Sequence, residues 1–183
     1  PLMPMADAHI TKGSRQLDAR SITRSSQRRK PRSRIPHVVH QTWPIVPSVA
    51  SPLGRALQIN AANSPSFVFR VHDDAAVSDF FLSTPLPHNV SAAFHALNPD
   101  FGAARSDLWR YSVLWKFGGV YLDLDVKVRS HIDRLIHPSD PAVLVHEYPL
   151  TEPYRNPKEP HYDQWFLAFE PHHPYLEHAL RKI

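Results

Sequence analysis

The sequence predicts an α/β fold with a largely parallel sheet, and three observations carry the prediction. Short β-branched and aromatic stretches alternate with stretches of helical spacing along residues 35–183. The clearest helical stretch, FGAARSDLWRYSVLWKFGG (101–119), ends in a glycine pair and runs straight into VYLDLDV (120–126). That strand-like run carries two aspartates, and open α/β sheets bind ligands beyond the carboxyl ends of their strands.

In chain order, residues 1–34 are polar, Ser/Arg-rich and poor in large apolar side chains, and are expected to be a disordered basic tail or stem. The domain is expected over 35–183. IPHVVHQTW (35–43) reads as a short buried strand that Pro44 and Pro47 stop. PLGRALQIN (52–60) reads as a helix with apolar residues at 53, 56, 57 and 59. In SFVFRVHDD (66–74), Phe67, Phe69 and Val71 alternate with polar or smaller neighbours as in a strand. DAAVSDFFL (74–82) follows as a helix with Asp74 as its expected N-cap. Asn89-Val90-Ser91 is an N-glycosylation sequon. In 101–119, Leu108, Tyr111, Leu114 and Trp115 recur at three- to four-residue spacing, Phe117 adds bulk, and Gly118 and Gly119 end the helix. PAVLVHEY (141–148) reads as a buried strand, and DQWFLAFEPHHPYLEHALRKI (163–183) as a strand or turn followed by a helix from near Pro174.

Composition bounds the function. With 183 residues, 42% of them hydrophobic, the chain can bury one core. It has no cysteine, which excludes disulfides, a thiolate metal site and a cysteine nucleophile. The net charge of +4 belongs to the tail: residues 20–34 are arginine-rich without an acid, whereas charges nearly balance from Ile35 onward. No run of apolar residues is long enough to cross a membrane as a helix. The start at Pro1 and the end at HALRKI, within a helical pattern, predict a fragment, with any membrane anchor outside this chain.

In a strand, residues i and i+2 share a face, so Tyr121, Asp123 and Asp125 are expected on one side and Val120, Leu122, Leu124 and Val126 on the core side. An ionised carboxylate is expensive to bury without a partner, so the pair belongs at a strand end, at an open edge or on a cation. Two hard oxygen donors there suit Mg²⁺ or Mn²⁺, bridging to a diphosphate. The plainer alternative is an acid-rich turn paired with Lys127 and Arg129. Upstream, Arg105, Asp107, Arg110 and Tyr111 fall within two helical turns, where Asp107 meets Arg110 (i,i+3) and Tyr111 (i,i+4).

The order SDLWRYSVLWKFGGVYLDLDV resembles glycosyltransferase family 32, which includes fungal α-1,6-mannosyltransferases and inositol-phosphoceramide mannosyltransferases. IPHVVHQTW resembles that family's opening strand, and FRVHDDAAVSDFF its second strand and helix. DQWFLAFEPHHPYLEHAL resembles a family segment ending P-G-H-P, with His172 in place of the glycine. The resemblance implies a GT-A fold, a Rossmann-like α/β/α sandwich binding a nucleotide sugar and a divalent cation, Mn²⁺ or Mg²⁺. It implies Asp125 as direct metal ligand, with Asp123 on the metal, ribose or donor sugar. Asp107 and Arg110 would grip the donor sugar and Tyr121 would line the same pocket. Trp43 stands where relatives stack the base, although a core tryptophan is an equal reading. For Arg105 a solvated arginine, and for His40 and His173 a structural role, are the safer readings. The expected activity is hexosyl transfer with retention, from GDP-mannose or a UDP-hexose to a glycan or glycolipid acceptor, in the Golgi or another secretory compartment if the source is eukaryotic. The family's later segment, which contributes to the acceptor side, has no counterpart in these residues.

Three rivals stand beside this reading. VYLDLDVKV matches the opening motif of haloacid-dehalogenase phosphatases, with Asp123 as nucleophile and Asp125 as acid/base. That fold puts the motif near its domain start and has no role for GG or S-D-x-x-R-Y. A nucleic-acid-binding protein could use the basic tail, but the folded part is near neutral with an acidic focus, so no nucleic-acid partner is expected. A degenerate relative would bind sugar nucleotide without turnover.

Overall fold

The computed structural model describes residues 33–146 and 162–183; the tail of residues 1–32 and the end of the predicted strand at 147–148 lie outside the described residues. Among the described residues are five strands and five α-helices, in the order β-α-β-α-α-α-β-β-β-α. The strands are β1 (Val38–Thr42), β2 (Val68–His72), β3 (Gly119–Leu122), β4 (Ala142–His146) and β5 (Tyr162–Phe169). The helices are α1 (Pro52–Asn63), α2 (Asp74–Ser83), α3 (Val90–Ala96), α4 (Gly102–Phe117) and α5 (Pro174–Arg181). The sheet order is β2-β1-β3-β5-β4. β1 is parallel to β2 and β3, whereas β5 is antiparallel to both β3 and β4. Every strand but β5 therefore points the same way, as expected of a mostly parallel α/β sheet.

Alternation along the strands builds two cores. Tyr121, Leu167 and Phe169 face α2, α3, α4 and α5, where Phe81, Phe94, Trp109, Leu114 and Leu176 pack. Val39, Val120, Leu122 and Phe166 face the other way, against Ile35, Phe67 and the segment 128–136 with Val128, Ile132 and Ile136. The α4 periodicity holds: Leu108 and Leu114 are buried, Tyr111 and Trp115 pack against the same core, and Trp109 is fully buried as well, while Phe117 is half exposed.

Several local expectations need correction. The N-cap of α2 is Asp73, whose carboxylate accepts from the Ala76 N–H at 2.8 Å; Asp74 is the first helical residue. The sequon residue Asn89 is exposed and opens α3, a helix not expected from the sequence. Arg34 lies against the folded body, making two 2.7 Å hydrogen bonds to the Glu170 carboxylate. His172 occupies a left-handed conformation (φ 56°), the region that favours glycine.

The glycine pair sets the turn from α4 into β3. Gly118 and Gly119 both have positive φ, 63° and 105°. A Cβ on Gly119 would come within 2.7 Å of the Val38 carbonyl oxygen, and one on Gly118 within 2.8 Å of the Pro171 nitrogen. Both demands, backbone angle and close approach, select glycine.

Candidate active site

β3 stops at Leu122, so the aspartates do not continue the strand as expected; they occupy the turn beyond its carboxyl end. The Asp123 N–H still donates to the Trp165 carbonyl of β5 at 2.9 Å, but the Val126 N–H then folds back onto the Asp123 carbonyl at 3.2 Å, which turns the chain out of the sheet. The facing of Tyr121 against Val120 and Leu122 is as expected, and Leu124 is buried on its own in the turn.

The turn is held from below by α1. Asn60, fully buried, accepts from the Val128 N–H at 2.9 Å and donates to the Val126 carbonyl at 2.8 Å, imitating a strand partner. Asn63 donates to the Val128 carbonyl at 3.1 Å, and Ser64 Oγ accepts from the Ile132 N–H at 3.2 Å. From β1, His40 Nε2 lies 3.2 Å from the Gly118 carbonyl; a carbonyl only accepts, so Nε2 carries the proton. Burial, with His72 beside it, lowers the His40 pKa to about 4, so the ring is neutral.

Above the turn lies a cleft of about 390 Å³. Trp43 and Asp74 stand on one side, Ser106 and Arg110 of α4 on the other, with Tyr121 and the two aspartates between them. Gly102 and Ala103 of the first turn of α4 also open on it, and that helix start has no side-chain cap. Trp43 is 40% exposed, which rules out the core-tryptophan reading.

Arg110 organises the polar wall. Its side chain is nearly buried, yet it bonds Asp107 Oδ1 at 2.9 Å, donates to the Gln164 carbonyl at 2.7 Å and lies 3.9 Å from Asp123 Oδ1. Its guanidinium also sits 4.5 Å over the Tyr121 ring. The Tyr121 hydroxyl donates to Asp123 Oδ1 at 2.6 Å. Burial drives the Tyr121 pKa far up, with Arg110 pulling the other way, so the phenol remains a donor. Asp107 itself is largely exposed and reaches the cleft only through Arg110. Asp125 is exposed, with no hydrogen-bond or ion-pair partner among the described residues.

Other residues singled out in the sequence are structural. Arg105 stacks 3.9 Å over Phe94. His173 caps α5, its ring accepting from the Tyr175 N–H. Sequence reasoning missed Asn60, Gln164 and Asp74. Gln164 accepts the Tyr111 hydroxyl at 2.5 Å and Arg110 through its carbonyl. Nothing in the sequence distinguishes Asn60 and Gln164 from ordinary surface polar residues, and Asp74 reads there only as a helix cap.

Comparison with known proteins bears on the family and the fold. Residues 51–141 match the model of the glycosyltransferase sugar-binding region containing the DXD motif. Inositol phosphoceramide mannosyltransferase 1 of Schizosaccharomyces pombe is 27% identical over 157 residues, covering 82% of this chain and 43% of that protein. Inositol phosphoceramide mannosyltransferase 3 of the same organism is 30% identical over 103 residues, covering 56% of this chain and 28% of that protein. The chain thus spans less than half the length of these relatives. Among solved structures, the PaToxG glycosyltransferase superposes with a TM-score of 0.61 at 15% identity, over 80% of this chain and 59% of that one, a likeness of fold. The aspartate pair Asp123 and Asp125 falls inside the matched region, and these likenesses support a glycosyltransferase with a DXD-type sugar-binding region.

Proposed function

We propose that this chain forms the donor-binding part of a metal-dependent glycosyltransferase that moves a hexose from a nucleotide sugar to a glycan or glycolipid acceptor with retention. The observation that carries the proposal is the single cleft lined by Trp43, Arg110, Tyr121, Asp123 and Asp125 at the carboxyl end of β3. The donor sets suit a divalent cation: Tyr121 occupies one oxygen of Asp123, while the other oxygen and the Asp125 carboxylate remain available at an open rim. No group of three carboxylate or imidazole ligands occurs among the described residues. This matches a small hard cation that keeps water and takes its remaining ligands from a diphosphate. Bound Mn²⁺ or Mg²⁺ would supply Lewis-acid stabilisation of the departing nucleoside diphosphate.

The chain's own side chains then bind and orient. Asp125 holds the cation, and Asp123, fixed by Tyr121 and Arg110, faces the metal and the donor. Arg110, kept in place by Asp107 and the Gln164 carbonyl, presents its guanidinium to the donor sugar. Trp43 offers an exposed ring to the base. Retention needs positioning more than a general base, and no residue is assigned that role. The relatives' names favour mannose as the sugar and an inositol-phosphate sphingolipid as acceptor, which fits a secretory-pathway, Golgi-type location. The phosphatase reading leaves the Gly118–Gly119 turn and the Arg110 wall of the cleft without a role.

The test is nucleoside diphosphate release from GDP-mannose, UDP-glucose and UDP-galactose, with a glycolipid acceptor, in Mn²⁺ and in EDTA. Release confined to Mn²⁺, greatest with GDP-mannose, is expected. Phosphate release from simple phosphomonoesters, with no release from nucleotide sugars, would point to the phosphatase instead.

A further inference from the structure

Beside the cleft the surface changes character. Trp43 and Pro44 line the cleft, and the chain then runs through Ile45, Val46 and Val49, which are 77%, 51% and 69% exposed. Three large aliphatic side chains standing in water within five positions are unusual for a loop. The loop is not loose. Ser51 Oγ donates to the Ser48 carbonyl at 2.6 Å, Gly54 N–H donates to Ser51 Oγ at 3.0 Å, and the loop packs so closely on α1 that Ser48 and Val49 meet the Gly54 backbone. Next to it, Pro52, Ala56 and Ile59 of α1 form an almost wholly apolar groove of about 300 Å³, flanked by Arg55 and Lys127.

The charge pattern says what covers this face. No aspartate or glutamate occurs between Asp18 and Asp73, so neither the loop nor α1 carries an acid. Arg55 and Lys127 make no ion pair among the described residues; Arg55 bonds only the Ala50 carbonyl. Apolar side chains projecting from a fixed ledge, with unneutralised cations behind them, are complementary to an anionic bilayer: the aliphatic residues enter the acyl boundary and the cations meet lipid phosphates. We propose that the ledge formed by Ile45, Val46 and Val49, with Arg55 and Lys127, docks the domain on an anionic lipid surface and turns the cleft mouth toward it. The inference concerns the surface beside the cleft and stands whichever donor the cleft takes.

The test uses the full chain, which has no native cysteine. Val46→Cys carries an environment-sensitive fluorophore, and Leu82→Cys, at a similarly exposed apolar position on α2, carries it as control. Each is mixed with phosphatidylcholine vesicles with and without phosphatidylserine, at low and high salt, with brominated lipid as depth quencher. The expected result is a blue shift and quenching at position 46 alone, strongest with phosphatidylserine and partly kept at high salt. Ile45→Ser/Val46→Ser/Val49→Ser should weaken vesicle partitioning at high salt by about tenfold or more. An arginine-rich tail binding alone would give salt-sensitive partitioning without quenching at 46, unchanged by the triple substitution, and would overturn the proposal. So would equal responses at 46 and 82, or no partitioning.

Discussion

Gly119→Ala is the sharpest stability test of the turn that delivers the aspartates. Two penalties add. The backbone at φ 105° is one that a residue with a Cβ rarely adopts, at a cost of about 1–3 kcal/mol. The new Cβ would lie 2.7 Å from both Val38 Cγ1 and the Val38 carbonyl oxygen; relieving such overpacking costs about 1–3 kcal/mol. The side-chain methyl can turn aside but the carbonyl is part of the β1 ladder, so β1 and β3 must separate. The sum, about 2–6 kcal/mol, is a large share of a typical domain's stability. For a domain of this size it corresponds to a fall in Tm of roughly 4–24 °C. Gly102→Ala is the control, because nothing lies within 4 Å of a Cβ there and the residue is helical; its Tm should stay level or rise slightly. Thermal unfolding followed by circular dichroism measures both. Equal Tm values for Gly119→Ala and Gly102→Ala would refute the reasoning.

Three further outcomes are expected. Asn60→Leu leaves the Val126 carbonyl and Val128 N–H without their partner, so it should destabilise by about 2–4 kcal/mol in urea titration; a loss under about 0.5 kcal/mol would show that the turn does not depend on α1. Tyr121→Phe removes the hydrogen bond that fixes Asp123, and Mn²⁺ affinity measured by metal-induced fluorescence change should fall about 10–100-fold with the fold intact; unchanged affinity would remove Asp123 from the metal. His40 is neutral in the folded chain with its pKa lowered to about 4, while the unfolded ring titrates near 6.5. The unfolded state therefore binds the proton first, so this contribution is full above about pH 6.5 and is lost as the pH falls toward 4, on the order of 3 kcal/mol in all. Replacing His40 with Gln should flatten that part of the stability-pH profile; an unchanged slope would assign it elsewhere.

The elements with strong local patterns were legible. The α4 periodicity, the glycine pair and the β-branched run after it set three consecutive elements from residue types alone, and the aspartates' place beyond a strand end followed from the cost of burying them. The strand's true end was not legible, because the chain leaves the sheet where the Val126 N–H folds back onto the Asp123 carbonyl and Asn60 of α1, a tertiary partner, takes the backbone of Val126 and Val128. α3 was missed although Val90 and Phe94 have helical spacing, since seven residues give too few repeats for a period to show. The reversed direction of β5 leaves no mark in composition. Arg110 and Asp107 read equally well as a surface ion pair; what makes Arg110 part of the cleft wall is its burial against Tyr121 and its bond to the Gln164 carbonyl, both made across the fold. Asn60 likewise looks like any polar helical residue until its two backbone partners arrive from residues 126 and 128.

The central claim is that Asp125 holds the cation through which a nucleotide sugar is bound. Calorimetric titration of GDP-mannose and UDP-hexoses into the wild-type chain and Asp125→Ala, each in Mn²⁺ and in EDTA, tests it most directly. The account predicts binding that requires Mn²⁺, prefers one nucleotide, and is lost in a folded Asp125→Ala. Binding of equal strength in EDTA, or undiminished in that variant, would contradict it.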